Sequence, residues 1–184
     1  MRQPAIRNVI LVGPAGAGKT TLAESLLAAA GVVRPPGAVA TGSTTSEHTE
    51  VATALGRSVV LTPLSFSFAD TRITLLDTPG FADFVGEVRA GLRAADAALF
   101  VVGAGEGIDA ATIMLWQECA AVGMPRAVVV TGVDRGGDFD EEIALARRAF
   151  GDGVQPMYLP MLADDESLIR MNLKETLVGL GYLV

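Results

Sequence analysis

The sequence predicts an α/β protein built on a mostly parallel central sheet with helices on both faces. Three observations carry that expectation. Short β-branched runs alternate along the chain with longer Ala/Leu-rich or amphipathic stretches. The run at 97–102 is apolar throughout and that at 126–131 reads as buried, as strands covered on both faces are. Between the first strand and the first helix lies GPAGAGKT, residues 13–20, a phosphate-binding turn that needs that strand–turn–helix setting.

The elements follow in order. Residues 6–12 form a short β-branched run, and residues 20–30 an Ala/Leu-rich helix. Residues 59–68 and 73–76 read as strands joined by the turn Ala69-Asp70-Thr71. Over residues 83–95, Phe84, Val88 and Leu92 recur every fourth position while Glu87 and Arg93 fall elsewhere, which predicts an amphipathic helix. Residues 97–102 are a continuous apolar strand, 109–122 a helix ending at Gly123, and 126–131 another buried strand. A helix over 139–150 and a last short strand over 154–159 complete the pattern. Ligands of such sheets sit beyond the carboxyl ends of the strands, and every motif below falls at such an end. Residues 34–58 interrupt the rhythm, rich in Pro, Gly, Ser and Thr and including the lone His48. A loop this long is usually functional or disordered; His48 reads as a solvated loop residue.

Composition bounds the rest. The 184 residues suit one domain with a substantial core. Half are hydrophobic but only 5% aromatic, so Ala, Val and Leu do most of the filling. The longest apolar runs are too short to span a bilayer, nothing at the N-terminus resembles a signal peptide, and the single Cys119 fits a reducing compartment. A cytoplasmic location is expected. The formal charge of −7 argues against a generic nucleic-acid-binding surface, while a polyphosphate can still be met locally by backbone N–H groups, a lysine and Mg²⁺.

GPAGAGKT supplies those groups. Its glycines let the backbone wrap phosphates with N–H groups inward at a helix N-terminus. The cradle therefore comprises Gly13, Pro14, Ala15, Gly16, Ala17, Gly18, Lys19, Thr20 and the adjoining Thr21. Lys19 can bridge the terminal phosphates and the Thr20 hydroxyl can hold Mg²⁺. Downstream, Asp77 ends a hydrophobic strand, where it suits a Mg²⁺ ligand acting through water. Gly80, in the following DTPG, can offer its N–H to a γ-phosphate and let the loop change shape when that phosphate is lost. Lys19 and Gly80 are thus the candidate catalytic groups.

From Asp77 onward the pattern DTPG-x-x-DF-x-x-EV-x-x-x-LR-x-x-D-x-A resembles translational GTPases of the elongation factor G type. The resemblance continues through Gly107, Trp116, Pro125-Arg126 and Asp134-Arg135-x-Gly137, and covers about residues 6–161. Within that family the chain is most similar to elongation-factor-G-like paralogues of high-GC bacteria, in which the switch residues are altered. The resemblance implies a P-loop GTPase fold, GTP or GDP and Mg²⁺ as ligands, and the ribosome as partner. The family's further domains, which reach into the ribosome, are not in this sequence.

Three departures from the family follow. A histidine that positions the attacking water is replaced by Phe81, which cannot donate, accept or transfer a proton. Losing such a group costs about 10²–10⁴-fold in rate. The guanine-reading Asn-Lys-x-Asp becomes Thr131-Gly132-Val133-Asp134. Asp134 keeps the carboxylate that accepts from guanine N1 and the exocyclic amine, and otherwise reads as a capping or turn aspartate. Thr131 can make part of the lost amide's contacts. The shortfall of one or two hydrogen bonds, about 0.5–1.5 kcal/mol each, predicts roughly ten- to hundredfold lower affinity. The family's Mg²⁺-binding switch threonine falls on Ser58, which either closes on the metal or merely starts a strand.

Beyond the last strand only Ala163 matches the loop that touches the base in this family. Residues 165–180, DESLIRMNLKETLVGL, are helical by composition. The expected division is a P-loop GTPase domain over 1–161 and, over 162–184, either a closing helix or the end of a truncated chain. Three functions compete: a translation-factor GTPase with weak or ribosome-dependent hydrolysis, a non-hydrolysing GTP/GDP-binding regulatory switch, and a P-loop ATPase.

Overall fold

The computed structural model describes residues 5–45, 60–80, 85–133, 138–156, 158–162 and 168–172. Ser58, Phe81, Asp134, Ala163 and His48 lie outside the described residues. Two compact units are present, residues 1–131 and 132–184.

The first unit holds a five-stranded sheet: β1 (Ala5–Val12), β2 (Thr62–Phe68), β3 (Thr71–Asp77), β4 (Ala97–Gly103) and β5 (Arg126–Thr131). Their spatial order is β2-β3-β1-β4-β5. β1 runs parallel to β3 and β4, and β4 parallel to β5; only β2 is antiparallel, paired with β3 through the turn at Ala69-Asp70. β2 is an edge strand and its sequence shows it. Leu64 and Phe66 are buried while Ser65 and Ser67 are exposed, and Pro63 sits at its start, where an edge strand tolerates a missing N–H. The sequence reading began this strand at residue 59. It begins at Thr62 because Thr62 pairs with Asp77, the last residue of β3; beyond Asp77 the partner strand has ended.

Helices α1 (Lys19–Ala29), α2 (Val85–Ala94) and α3 (Ala110–Ala121) flank this sheet. Successive residues of a strand point to opposite faces, and the packing separates accordingly. On one face Leu11, Leu75, Val101, Leu64 and Phe66 cluster with Ala23 and Leu27 of α1. On the other, Phe100 meets Trp116 of α3 edge-on at 5.0 Å between ring centroids, and Gly91 of α2 lies against the Ile10 side chain. Arg126 stacks over the Trp116 ring at 4.5 Å, and Arg89 of α2 pairs with Glu118 of α3 at 2.6 Å. Cys119 is buried on α3, and burial pushes its thiol upward. No helix among the described residues is long and apolar enough to cross a membrane.

The second unit contains α4 (Phe139–Phe150), β6 (Tyr158–Leu162) and β7 (Leu168–Asn172). Asp138 caps α4 by accepting from the Asp140 N–H at 2.9 Å, and Arg147 in its last turn donates to the Val154 carbonyl. Two sequence expectations differ here. The strand expected at 154–159 is β6, shifted along the chain, and residues 168–172 are strand rather than helix, paired antiparallel with β6. Leu, Arg and Met are good helix formers, but propensity is a weak prior that tertiary context overrides, and pairing with β6 offers that segment a ladder that propensity does not foresee.

Candidate functional site

The site forms where β1, β3 and β5 of the first unit end. After Val12 the chain turns through residues 13–18, with Gly16 at φ 85° and Gly18 at φ 81°, and enters α1. Gly18 occupies the N-cap position without any side-chain cap. The first N–H groups of α1 therefore face the turn, as an anion-binding helix start requires. α3, by contrast, is capped by the Asp109 carboxylate, which accepts from Thr112 at 2.7 Å.

Lys19 begins α1 and is only 6% exposed. Its ammonium donates to the carbonyls of Gly13 and Pro14, each at 2.8 Å, so it lies across the mouth of the turn. Burial lowers its pKa from 10.5 to about 8, with the charges of Asp77 and Asp109 opposing the shift. A desolvated ammonium beside a phosphate cradle gains strongly from an incoming anion. One residue on, the Thr20 hydroxyl donates to Asp77 Oδ2 at 2.8 Å, and Asp77 is 1% exposed. These two oxygen-bearing groups, from α1 and the end of β3, form a hard donor set of the kind Mg²⁺ takes.

DTPG is held in place from below. The Thr78 hydroxyl donates to the Leu11 carbonyl at 2.6 Å, which locks the end of β3 onto β1. Gly80 then passes so near the cradle that a methyl group there would lie 2.5 Å from Lys19 Nζ and 2.6 Å from the Ala15 nitrogen. Only glycine permits that approach. On the far side, the Thr131 hydroxyl lies 2.7 Å from the Ala17 carbonyl and 3.2 Å from that of Val102. Its single proton goes to the nearer, so Thr131 ties the end of β5 to the cradle backbone.

The structure thus brings together residues 13–20, Asp77, Gly80 and Thr131, while Thr21 is exposed on the next position of α1. Sequence reasoning missed Thr78 as an anchor, Asp109 as a charge acting on Lys19, and Glu24, a fully buried carboxylate on α1. A signal existed for Glu24: it is the one acidic residue in an Ala/Leu-rich helix, four positions after Thr20.

A family model for the elongation factor Tu GTP binding domain matches residues 4–168. The chain belongs to that family. This GTP-binding domain is 54% identical over 156 residues to an elongation factor G-like protein of Mycobacterium tuberculosis, covering 84% of the chain and 22% of that protein. It is 36% identical over 130 residues to the oxytetracycline resistance protein of Streptomyces rimosus, covering 71% of the chain and 20% of that protein. It is 34% identical over 133 residues to mitochondrial ribosome-releasing factor 2 of Schizosaccharomyces pombe, covering 72% and 16%. A solved structure from Thermus thermophilus superposes with a TM-score of 0.85 at 39% identity, over 92% of this chain and 26% of that one. The chain therefore spans about a fifth of the length of its curated relatives. The fold is the mixed α/β P-loop GTPase fold, and the domain is of the elongation-factor-G-like translational GTPase type.

Proposed function

We propose that this domain binds GTP and GDP with Mg²⁺ and serves as the nucleotide switch of a cytoplasmic translation factor, hydrolysing GTP weakly or only on the ribosome. The observation that carries the reading is the convergence of Lys19, the Thr20–Asp77 pair and Gly80 at one cradle. Residues 13–21 would hold the phosphates, and Thr20 and Asp77, with Ser58, would hold the metal. When bound, Mg²⁺ would supply charge neutralisation on the phosphate oxygens. Gly80 would present its N–H to the γ-phosphate, and Thr131, Asp134 and Ala163 would border the base. The names of the relatives, a ribosome-releasing factor among them, support the ribosome as partner, engaged through segments beyond the GTP-binding domain. A GTPase domain over residues 1–161 remains the proposed functional division.

Phe81 favours a second reading, a GTP/GDP-binding regulator that does not hydrolyse. Single-turnover GTP hydrolysis with and without ribosomes separates the two. Hydrolysis without ribosomes at the rate of a histidine-bearing relative excludes the regulator, and no hydrolysis in either condition excludes the enzyme. Competition of GTP and ATP against a fluorescent guanine nucleotide tests base choice; equal displacement by ATP would point instead to the ATPase.

A further inference from the structure

The loop between β4 and α3, residues 104–109, brings an exposed carboxylate to the flank of the cradle. The Glu106 N–H donates to the Gly103 carbonyl at 3.1 Å, and the residues on either side, Gly105 and Gly107, hold φ 74° and 76°. This tight turn folds the Glu106 side chain back over the end of β4. A methyl group on Gly103 would stand 2.7 Å from Glu106 Oε2 and 2.8 Å from its Cδ, so the side chain lies where only a glycine leaves it room. On its other side the same Oε2 is 3.6 Å from the place a Cβ on Gly16 would take, at the exposed rim of the cradle. The carboxylate therefore stands against the backbone that is shaped to wrap phosphates.

Charge makes this placement consequential. Asp109, which caps α3 at the far end of the same loop, is close enough to Lys19 to act on its ammonium, and so is Asp77. The positive charge of Lys19 is thus met by carboxylates from β3 and from this loop before any phosphate arrives. A free nucleoside polyphosphate carries several negative charges, and a carboxylate beside the cradle repels each of them. Mg²⁺ on the phosphate oxygens cancels part of that charge.

We propose that Glu106 is a specificity-determining residue that makes the cradle select magnesium-complexed nucleotide over the free polyanion. Its carboxylate holds neither phosphate nor metal. It stands beside Gly16 as a negative charge whose repulsion grows with the net charge of what enters. Metal-free nucleotide meets all of that repulsion, and the magnesium complex only a fraction of it. This selection rests on the guanine-nucleotide reading above and names the form of nucleotide that the site takes.

Fluorescent GDP titrated into the chain in Mg²⁺ and in EDTA, at low and high salt, tests it. Glu106→Gln keeps the shape and removes the charge. In EDTA at low salt it should bind GDP about fivefold more tightly than the native chain, and in Mg²⁺ within about twofold of it. The gain in EDTA should vanish at about 1 M salt, where the screening length falls to about 3 Å; a change of packing alone would not respond to salt in this way. Glu106→Ala should repeat the gain, and Glu106→Asp, which keeps the charge, should stay near the native chain. Equal affinities of the native chain and Glu106→Gln in EDTA would overturn the proposal, as would a gain that persists unchanged at high salt. Weaker binding of GDP with Mg²⁺ by Glu106→Gln would overturn it too, because Glu106 would then be a group that holds the ligand. No binding by the native chain even with Mg²⁺ defeats the nucleotide reading and this selection with it, whereas native binding that Glu106 does not influence defeats the selection alone.

Discussion

Replacing Gly80 with alanine adds one methyl group at the closest approach between DTPG and the cradle. That carbon would stand 2.5 Å from Lys19 Nζ, 2.6 Å from the Ala15 nitrogen and 2.7 Å from Ala15 Cα. The lysine tip could swing away only by releasing its two carbonyl partners at 2.8 Å. The Ala15 backbone has no such freedom, because it is part of the cradle. To restore ordinary contact near 3.5 Å the loop must retreat by about an ångström, while Thr78, just before it in the chain, holds it to Leu11. Overpacking of this kind costs about 1–3 kcal/mol. Urea unfolding should therefore show Gly80→Ala destabilised by about that amount with an unchanged m-value. The same displacement removes the Gly80 N–H from the γ-phosphate position, so the variant should lose preference for a non-hydrolysable GTP analogue over GDP. Gly86 is the control. It lies in α2 with nothing within 4 Å of an added methyl group, so Gly86→Ala should be stabilising by about 0.5–1 kcal/mol. If Gly80→Ala matches the native chain in stability and in nucleotide preference, the close packing of DTPG on the cradle is wrong.

Lys19 makes GDP binding pH-dependent. Its pKa of about 8 in the unliganded site must rise when a phosphate is bound, so binding takes up a proton above that pH. Affinity should be flat below about pH 7 and about tenfold weaker at about pH 9; calorimetry in buffers of different ionisation heat would show the uptake, and a flat profile would refute it. In folding the sign is opposite: the buried ammonium disfavours the fold at neutral pH, and stability from this group rises between about pH 8 and 10.5. Thr131→Val removes the hydroxyl 2.7 Å from the Ala17 carbonyl at a cost of about 1 kcal/mol, expected as about fivefold weaker GDP binding; unchanged affinity and melting temperature would rule out the tether. Asp77→Asn should shrink the ratio of GDP affinity with Mg²⁺ to that in EDTA, since it removes the charge beside Thr20; an unaltered ratio would remove Asp77 from the metal site. Phe81→His, if the missing histidine is what limits catalysis, should raise single-turnover GTP hydrolysis by at least about tenfold, and no gain would place the defect elsewhere.

By itself the sequence determined the elements of the sheet and the identity of the cradle. Buried parallel strands must be apolar along their whole length, and β4 reads that way; β5, read as another buried strand, is the outermost strand of the described sheet and only half-buried, with Ala127 exposed. A turn that wraps phosphates needs GPAGAGKT in order, because glycines and the lysine do their work through local backbone geometry. The alternation of edge strand β2, with Leu64 and Phe66 buried and Ser65 and Ser67 exposed, stands in the sequence, although the strand expected there carried no edge assignment. Where the information is non-local, the residues did not suffice. The first rung of β2 depends on where β3 stops, and the strand at Leu168–Asn172 on its partner β6 earlier in the chain. The same holds within the site. The motif names Thr131 as a neighbour of the base, but that its hydroxyl also ties β5 to the Ala17 carbonyl emerges only when the ends of β5 and the cradle are placed side by side. Glu24 reads as one more helix-forming residue until the chain at Gly37 and Thr45 folds over it and gives its buried charge two amides. Periodicity and motif record what a segment does with its own backbone. Which hydroxyl or carboxylate meets which distant N–H is set by chain packing, and only the tertiary structure carries it.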